Sequence, residues 1–407
     1  MKIFRTDSGV PYIFYPLDVG YTSLLAIVLY GMLDESKPEL AHTLEHMLLQ
    51  GTPTQTSDSI MRDFNRLSPS SFNASAEIDM VTIHALPVKR KATEVVGMLS
   101  DIIKNMTVPE KALENEKKAI NLELEGLREN VDSLVDPYIY QELFSKEFAK
   151  HFEFSTEEQV YSITRDDILK DYKRFFVPEN MVFVAYGGIE EESMKNAINK
   201  GFDGFKSGSR NNNTSEIKPR GKSSELELDI PNISSSKLYI SMPGLRFESN
   251  NRVERQSLLI SSYILKDRLY KALRNDRGIV YDVQAETSSY FRFGRISAYT
   301  ELSKEYLSEA KAIMFKEIQK VHDGEINSDE ISEELSQIMD STLIHRYTEP
   351  VDSSMALGAL YLALRDINEV KKYGRPEKIT TDDVRAACSK YFDLDKAVSV
   401  SVFDKNK

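Results

Sequence analysis

SITRDDILKDYKRFF, from Ser162 to Phe176, and KITTDDVRAACSKYF, from Lys378 to Phe392, set the same residue types in the same order. Ile, Thr, the Asp pair and the closing Phe coincide, at an offset of about 216 positions between Ile163 and Ile379. Each stretch opens with a helix-entry pattern and is followed by a strand-like apolar run, MVFVAYG from Met181 and AVSVSVF from Ala397. Other elements recur at nearly the same distance. LLAIVLYG near Leu24 matches LYISMPG near Leu238, and VPEKALENEKKAI from Val108 matches INSDEISEELSQI from Ile326. The chain is therefore a duplication: an α+β protein of two homologous halves, each an antiparallel-rich sheet covered by helices, with a clamshell arrangement expected. Residues 1–206 form the first half and 225–407 the second. The Gly-, Ser-, Asn- and Lys-rich residues 207–224 read as a linker.

At 407 residues the chain can build two sizeable cores. Its net charge of -12 argues against wholesale nucleic-acid binding, because phosphate neutralisation needs clustered Lys and Arg. No signal peptide and no membrane-spanning run is expected, and one cysteine, Cys388, suits a reducing cytoplasmic address.

The first half carries SKPELAHTLEHMLLQGTP, Ser36 to Pro53. Ser36 and Glu39 read as a capping box, Pro38 as a first-turn proline, and Gly51 with Pro53 as the stop. On this helix His42 and His46 stand four apart and share a face, with Glu45 on the same side. The order His-x-x-Glu-His inverts the better known zinc-peptidase motif, whose glutamate relays a proton from water to the leaving amine. Catalytic zinc takes three protein ligands, so a further one must come from elsewhere. In VPEKALENEKKAINLELEGLRE, from Val108, the apolar stripe Leu113, Ile120 and Leu127 carries Glu116 and Glu123 with it. A carboxylate on a buried face needs a metal or a cation, and paired Lys or Arg is the alternative to metal here. The duplicate serves as an internal control. It keeps Ile331, Glu334 and Ile338 but has Ser341 in place of Glu123, and Arg255, Leu258 and Leu259 in place of His42, Glu45 and His46. The second half cannot hold this metal. His84, His151, His322 and His345 have no ligand-like partners at helical spacing.

With these residues in hand, the chain resembles the insulinase/pitrilysin family of zinc peptidases, including its mitochondrial-processing-peptidase-like and short bacterial members, across nearly its whole length. HTLEH matches the family's metal helix, and Glu116 and Glu123 match its downstream Glu-x6-Glu, with Glu123 as third ligand and Glu116 orienting the site. LRNDRGIVY resembles the family's Arg and Tyr segment. That implies Arg274 and Tyr281 bind substrate and stabilise the oxyanion; read alone, Arg274 would equally cap a helix or pair on the surface, and Tyr281 would be a core aromatic. SFNASAEIDMVTIHALP, from Ser71, resembles the substrate-binding edge strand, with Asn73 and Ala74 at the matching place and β-augmentation as the binding mode. The resemblance implies a metalloendopeptidase with one Zn2+ per chain, acting on short or unfolded peptides. It also implies a homodimer, or a heterodimer with a related chain. The alternatives are a non-catalytic or partner-dependent subunit and a dedicated leader-peptide maturation protease.

Overall fold

The computed structural model describes residues 1–212, 215–247, 252–372 and 377–406. Residues 213 and 214 of the expected linker lie outside the described residues. The chain forms two α+β units, each with one sheet and its own core.

The first sheet contains β1 (Lys2–Arg5), β2 (Pro11–Pro16), β3 (Thr22–Val28), β4 (Phe72–Ala76), β5 (Val81–Ala85) and β6 (Met181–Gly187) in the order β1-β2-β6-β3-β5-β4. Only the β2–β6 pairing is parallel. Central strands β3 and β6 pair through Leu24↔Ala185 and Ala26↔Phe183, and every residue of both is buried. That uninterrupted burial means the sheet is covered on both faces. On one face Leu24, Ala26 and Phe183 join a core with Leu44 of α1 (Leu40–Leu48), Phe64 of α2 (Ser57–Leu67) and Leu99 of α3 (Ala92–Asn105). On the other face lies the helix Pro350–Leu364, which packs on β3 and β6. A Cβ on Gly358 would sit 2.6 Å from Ile27 Cδ1 and 3.2 Å from Val184 Cγ2, so only glycine lets helix and sheet approach this closely.

The second sheet contains β7 (Ser224–Asp229), β8 (Ser236–Pro243), β9 (Val280–Ser289), β10 (Gly294–Leu302) and β11 (Val398–Phe403) in the order β7-β11-β8-β10-β9. Helices Arg252–Leu269, Leu307–His322 and Thr381–Tyr391 contribute to its core. After α4 (Glu110–Arg128), α5 (Val131–Leu143) packs against β8 and β11, with Asp132 bonded to Lys237 Nζ at 2.9 Å and Asp136 to Arg295 Nη1 at 2.6 Å.

The duplicated stretches fold alike. Thr164 and Asp167 close a capping box at the start of helix Arg165–Phe175, and Thr380 and Asp383 close the same box before Thr381–Tyr391. Each helix leads into a central strand, β6 or β11. The compact units, however, are not contiguous in sequence. One comprises Met1–Leu127, Phe154–Thr214 and Leu343–Tyr373; the other comprises Arg128–Glu153, Ser215–Thr342 and Gly374–Lys407. Each half of the sequence thus lends a helical segment to the sheet of the other half. The ends of the expected linker are tied down: Gly208 N donates to Glu179 Oε2 (2.9 Å) and Ser224 N to Ala397 O (3.0 Å). Among the described residues no helix is long and apolar enough to cross a membrane.

Candidate active site

Helix α1 turns Leu40, Ala41, Leu44, Met47 and Leu48 into the core, which leaves His42, Glu45 and His46 on the flank beside α4. Its N-terminus differs from the expected capping box. The helix begins at Leu40, and Glu39 has left-handed backbone (φ 65°) with no capping hydrogen bond from its side chain. Glu35 caps instead, its carboxylate accepting from Glu39 N (3.2 Å) and Ala41 N (2.8 Å). Burial pushes the Glu35 carboxyl up to about 8 even though these N–H groups oppose it. The Glu39 carboxylate is thereby free for another task. It accepts from His42 Nδ1 at 2.9 Å and from Ser155 Oγ at 3.1 Å.

Helix α4 supplies the remaining carboxylates. Glu116 Oε2 meets His46 Nδ1 at 2.8 Å while Gln50 Nε2 holds its other oxygen at 2.8 Å. The buried face of α4 runs Leu113, Lys117, Ile120 and Leu124, not through Leu127, which is exposed. Lys117 is tolerated there because it bonds Glu114 Oε1 (2.8 Å) and Tyr161 O (3.2 Å). Glu123 is correspondingly not on a buried face: its side chain is about half exposed and points along the edge of the histidine pair.

Three donor atoms meet here. His42 Nε2 and His46 Nε2 are 3.2 Å apart, and Glu123 Oε2 lies 3.3 Å from the first and 3.6 Å from the second. Both Nδ1 atoms face carboxylates, which only accept, so the Nδ1 positions carry the protons and the Nε2 atoms of the neutral rings present lone pairs. Two lone pairs and a carboxylate oxygen this close repel unless a cation lies among them. A tetrahedral zinc with bonds of about 2.0–2.1 Å sets its ligand atoms roughly 3.3–3.4 Å apart, so this donor set fits zinc. The carboxylates behind the rings fix tautomer and orientation. His46 is pushed down by burial but raised overall by the Glu116 hydrogen bond and by Glu45 and Glu123. Glu45 is 8 % exposed, with Oε2 3.9 Å from His46 Nε2. Burial raises its carboxyl, and the two imidazoles pull the other way.

Asn73 and Ala74 lie on edge strand β4, opposite His84 and Ile83; Asn73 is exposed and the Ala74 side chain enters the core. In the second unit, Arg274 belongs to a π-turn, Tyr270–Asn275, that ends helix Arg252–Leu269. It donates from Nη1 to Val280 O (3.1 Å) and lies over the Tyr281 ring, 5.1 Å from its centroid. Tyr281 is no core aromatic: it is 82 % exposed, in a cleft of about 570 Å³ at the start of β9. At Glu334, the duplicate of Glu116, burial and then neighbouring Asp267 hold the carboxyl up, the state of an acid bonded to an acid instead of to a histidine. Sequence reasoning missed Glu39, Glu35, Gln50 and Ser155 as site residues. The first could be found as His42 minus three and Gln50 as His46 plus four; Glu35 and Ser155 carry no local signal.

The family model described as Insulinase (Peptidase family M16) matches residues 28–153, and the one described as Peptidase M16 inactive domain matches 162–338, together well over half of the chain. The chain belongs to the insulinase family. The first of these models spans all the residues of the donor cluster, and the second ends before Ser341. Among insulinase-family relatives, an "Uncharacterized zinc protease" of Rickettsia bellii is 22% identical over 338 residues, covering 81% of each chain. A protease from Helicobacter pylori has the same fold, with a TM-score of 0.85 at 14% identity over 99% of each chain. The Pseudomonas fluorescens structure titled a peptidase M16 inactive domain superposes with a TM-score of 0.82 at 16% identity, covering 99% of this chain and 98% of that one.

Proposed function

We propose that this chain is a zinc metallo-endopeptidase that hydrolyses short or unfolded peptides. The observation that carries the reading is the triangle of His42 Nε2, His46 Nε2 and Glu123 Oε2, whose 3.2–3.6 Å edges match the ligand spacing of tetrahedral zinc. These three residues would hold the ion. When bound, it would supply Lewis acidity to the scissile carbonyl and acidify the attacking water.

The remaining work falls to the chain's own side chains. Glu45 takes the proton from the attacking water and delivers it to the departing amide nitrogen, so one carboxylate serves as base and then acid. Its burial keeps competing water away and raises its basicity, which suits both roles. Glu39 and Glu116 keep the two rings in the productive tautomer. Strand β4, at the sheet edge next to α1, offers backbone groups to an extended peptide, with Asn73 at its exposed face. Arg274 and Tyr281 are a cationic and a phenolic donor of the kind that grips a peptide carbonyl.

The test compares wild type with Glu45→Gln for zinc content and for cleavage of an unstructured peptide mixture. The proposal expects about one zinc per chain in both and cleavage by wild type alone. Zinc in both proteins with cleavage by neither would refute it in favour of a non-catalytic subunit.

A further inference from the structure

We infer that the cleft between β1 and the C-terminal end of helix Pro350–Leu364 binds a phosphate-class oxyanion through Arg5 and Arg365, with Arg210 adding its charge from the same helix end. Three guanidinium groups converge on that helix end. Arg5 Nη2 lies 3.4 Å from Tyr361 Oη, Arg365 stacks over the same ring at 5.2 Å, and Arg210 Nη2 donates to Leu362 O at 3.0 Å. The cleft, about 550 Å³, is lined by Arg5, Tyr361, Arg365 and Asp366 together with the apolar Ile3, Phe4 and Ile367.

Capping of carbonyls accounts for one contact per guanidinium: Gly9 O for Arg5, Leu362 O for Arg210 and Glu179 O for Arg365, at 3.0 Å each. It does not account for the rest. The Nε groups of Arg210 and Arg365 are buried and make no hydrogen bond, although a buried donor without an acceptor is costly. No described carboxylate lies within ion-pair distance of any of the three. Asp366, which lines the cleft with Arg5 and Arg365, is engaged as a helix cap, accepting from Asn368 N at 2.8 Å. This is conspicuous in a chain with 64 acidic and 52 basic residues, where acidic partners are plentiful. Burial first, then Arg210, lower the pKa of Arg365; Tyr361 opposes them, and Arg5 adds a smaller push downward. Planar guanidiniums match the oxygens of a tetrahedral dianion two at a time, and three cations call for more charge than one carboxylate brings. Backbone geometry agrees that Arg365 is kept for its side chain. It sits at φ 51°, where glycine would be relaxed.

The experiment is titration calorimetry and thermal unfolding of the full chain with inorganic phosphate, with glycerol 3-phosphate as an esterified form, and with chloride at matched ionic strength. Two variants accompany it: Arg365→Gly, which suits the left-handed backbone, and Arg5→Gln, at an exposed position that leaves the fold alone. Wild type is expected to show saturable binding and a raised Tm with phosphate or its ester but not with chloride. Saturation by phosphate alone identifies the free ion, and saturation by the ester alone identifies an esterified ligand. Each variant is expected to bind at least tenfold more weakly, with Arg365→Gly as stable as wild type when phosphate is absent. Phosphate and ester acting no differently from chloride overturns the inference. So does binding that persists unchanged in both variants, as it would for an anion resting at the histidine pair.

Discussion

Glu39 carries two burdens at one position. Its backbone is left-handed, which costs a residue with a Cβ about 1–2 kcal/mol, and its carboxylate orients His42. The two can be separated by mutation. Glu39→Gly relieves the backbone and removes the carboxylate, so zinc affinity should fall about 10- to 100-fold while Tm holds or rises. Glu39→Ala should lose the same affinity and stability as well. Competition with a chromophoric chelator, read beside thermal unfolding, checks both; unchanged affinity in both variants would leave the Glu39–His42 bond without a role. Glu35 answers to pH. Its folded pKa of about 8 lies above the ordinary carboxylate value, so the folded state keeps a proton that the unfolded chain releases. That contribution is complete below about pH 4.5 and is lost as pH rises to about 8. Glu35→Gln should therefore flatten the fall in Tm between pH 5 and 8 in zinc-free protein. Equal slopes for variant and wild type would show that Glu35 is ionised throughout.

Among the elements, the helix-entry signals behaved unevenly for a physical reason. Thr164 with Asp167, and Thr380 with Asp383, are legible because both partners of a capping box are local and have no other employment. Ser36 and Glu39 show the same pattern, yet a stronger acceptor role at His42 draws Glu39 away and Glu35 takes the N-terminus. Periodicity located the α4 face through Ile120 but overran its end at Leu127 and overlooked Lys117, whose burial depends on the distant Tyr161 carbonyl. The histidine pair was readable from spacing on one helix, whereas the convergence of Glu123 with it depends on packing between helices. Helix Pro350–Leu364 comes close to the sheet at Gly358, where an added Cβ would sit 2.6 Å from Ile27 Cδ1. Gly358→Ala should destabilise the first unit by about 1–3 kcal/mol, since overpacking outweighs the better helix propensity of alanine. Urea unfolding measures this, and a stabilised variant would mean that the helix can shift outward without loss.

For the molecule as a whole, duplication was visible in the sequence because the repeated stretches keep their residue types, while the exchange of helical segments was not, since no local signal says which sheet a helix will cover. The exchange makes each half dependent on the other. Residues 1–214 expressed alone lack Pro350–Leu364 and would expose Leu25, Ile27, Val182 and Val184, which are fully buried in the intact chain. Such a fragment should aggregate or melt without a cooperative transition, and co-expression with 215–407 should rescue it as a complex that co-purifies. A cooperative melt of the 1–214 fragment by itself would show that the borrowed helix is dispensable.

The same exchange governs the order of events on the ribosome. β6 leaves the exit tunnel long before Pro350–Leu364 is made, and at roughly 5–20 residues per second the delay is on the order of ten seconds or more. Throughout that interval the growing polypeptide presents one uncovered apolar face of that sheet to its surroundings, the kind of surface that chaperones exist to hold.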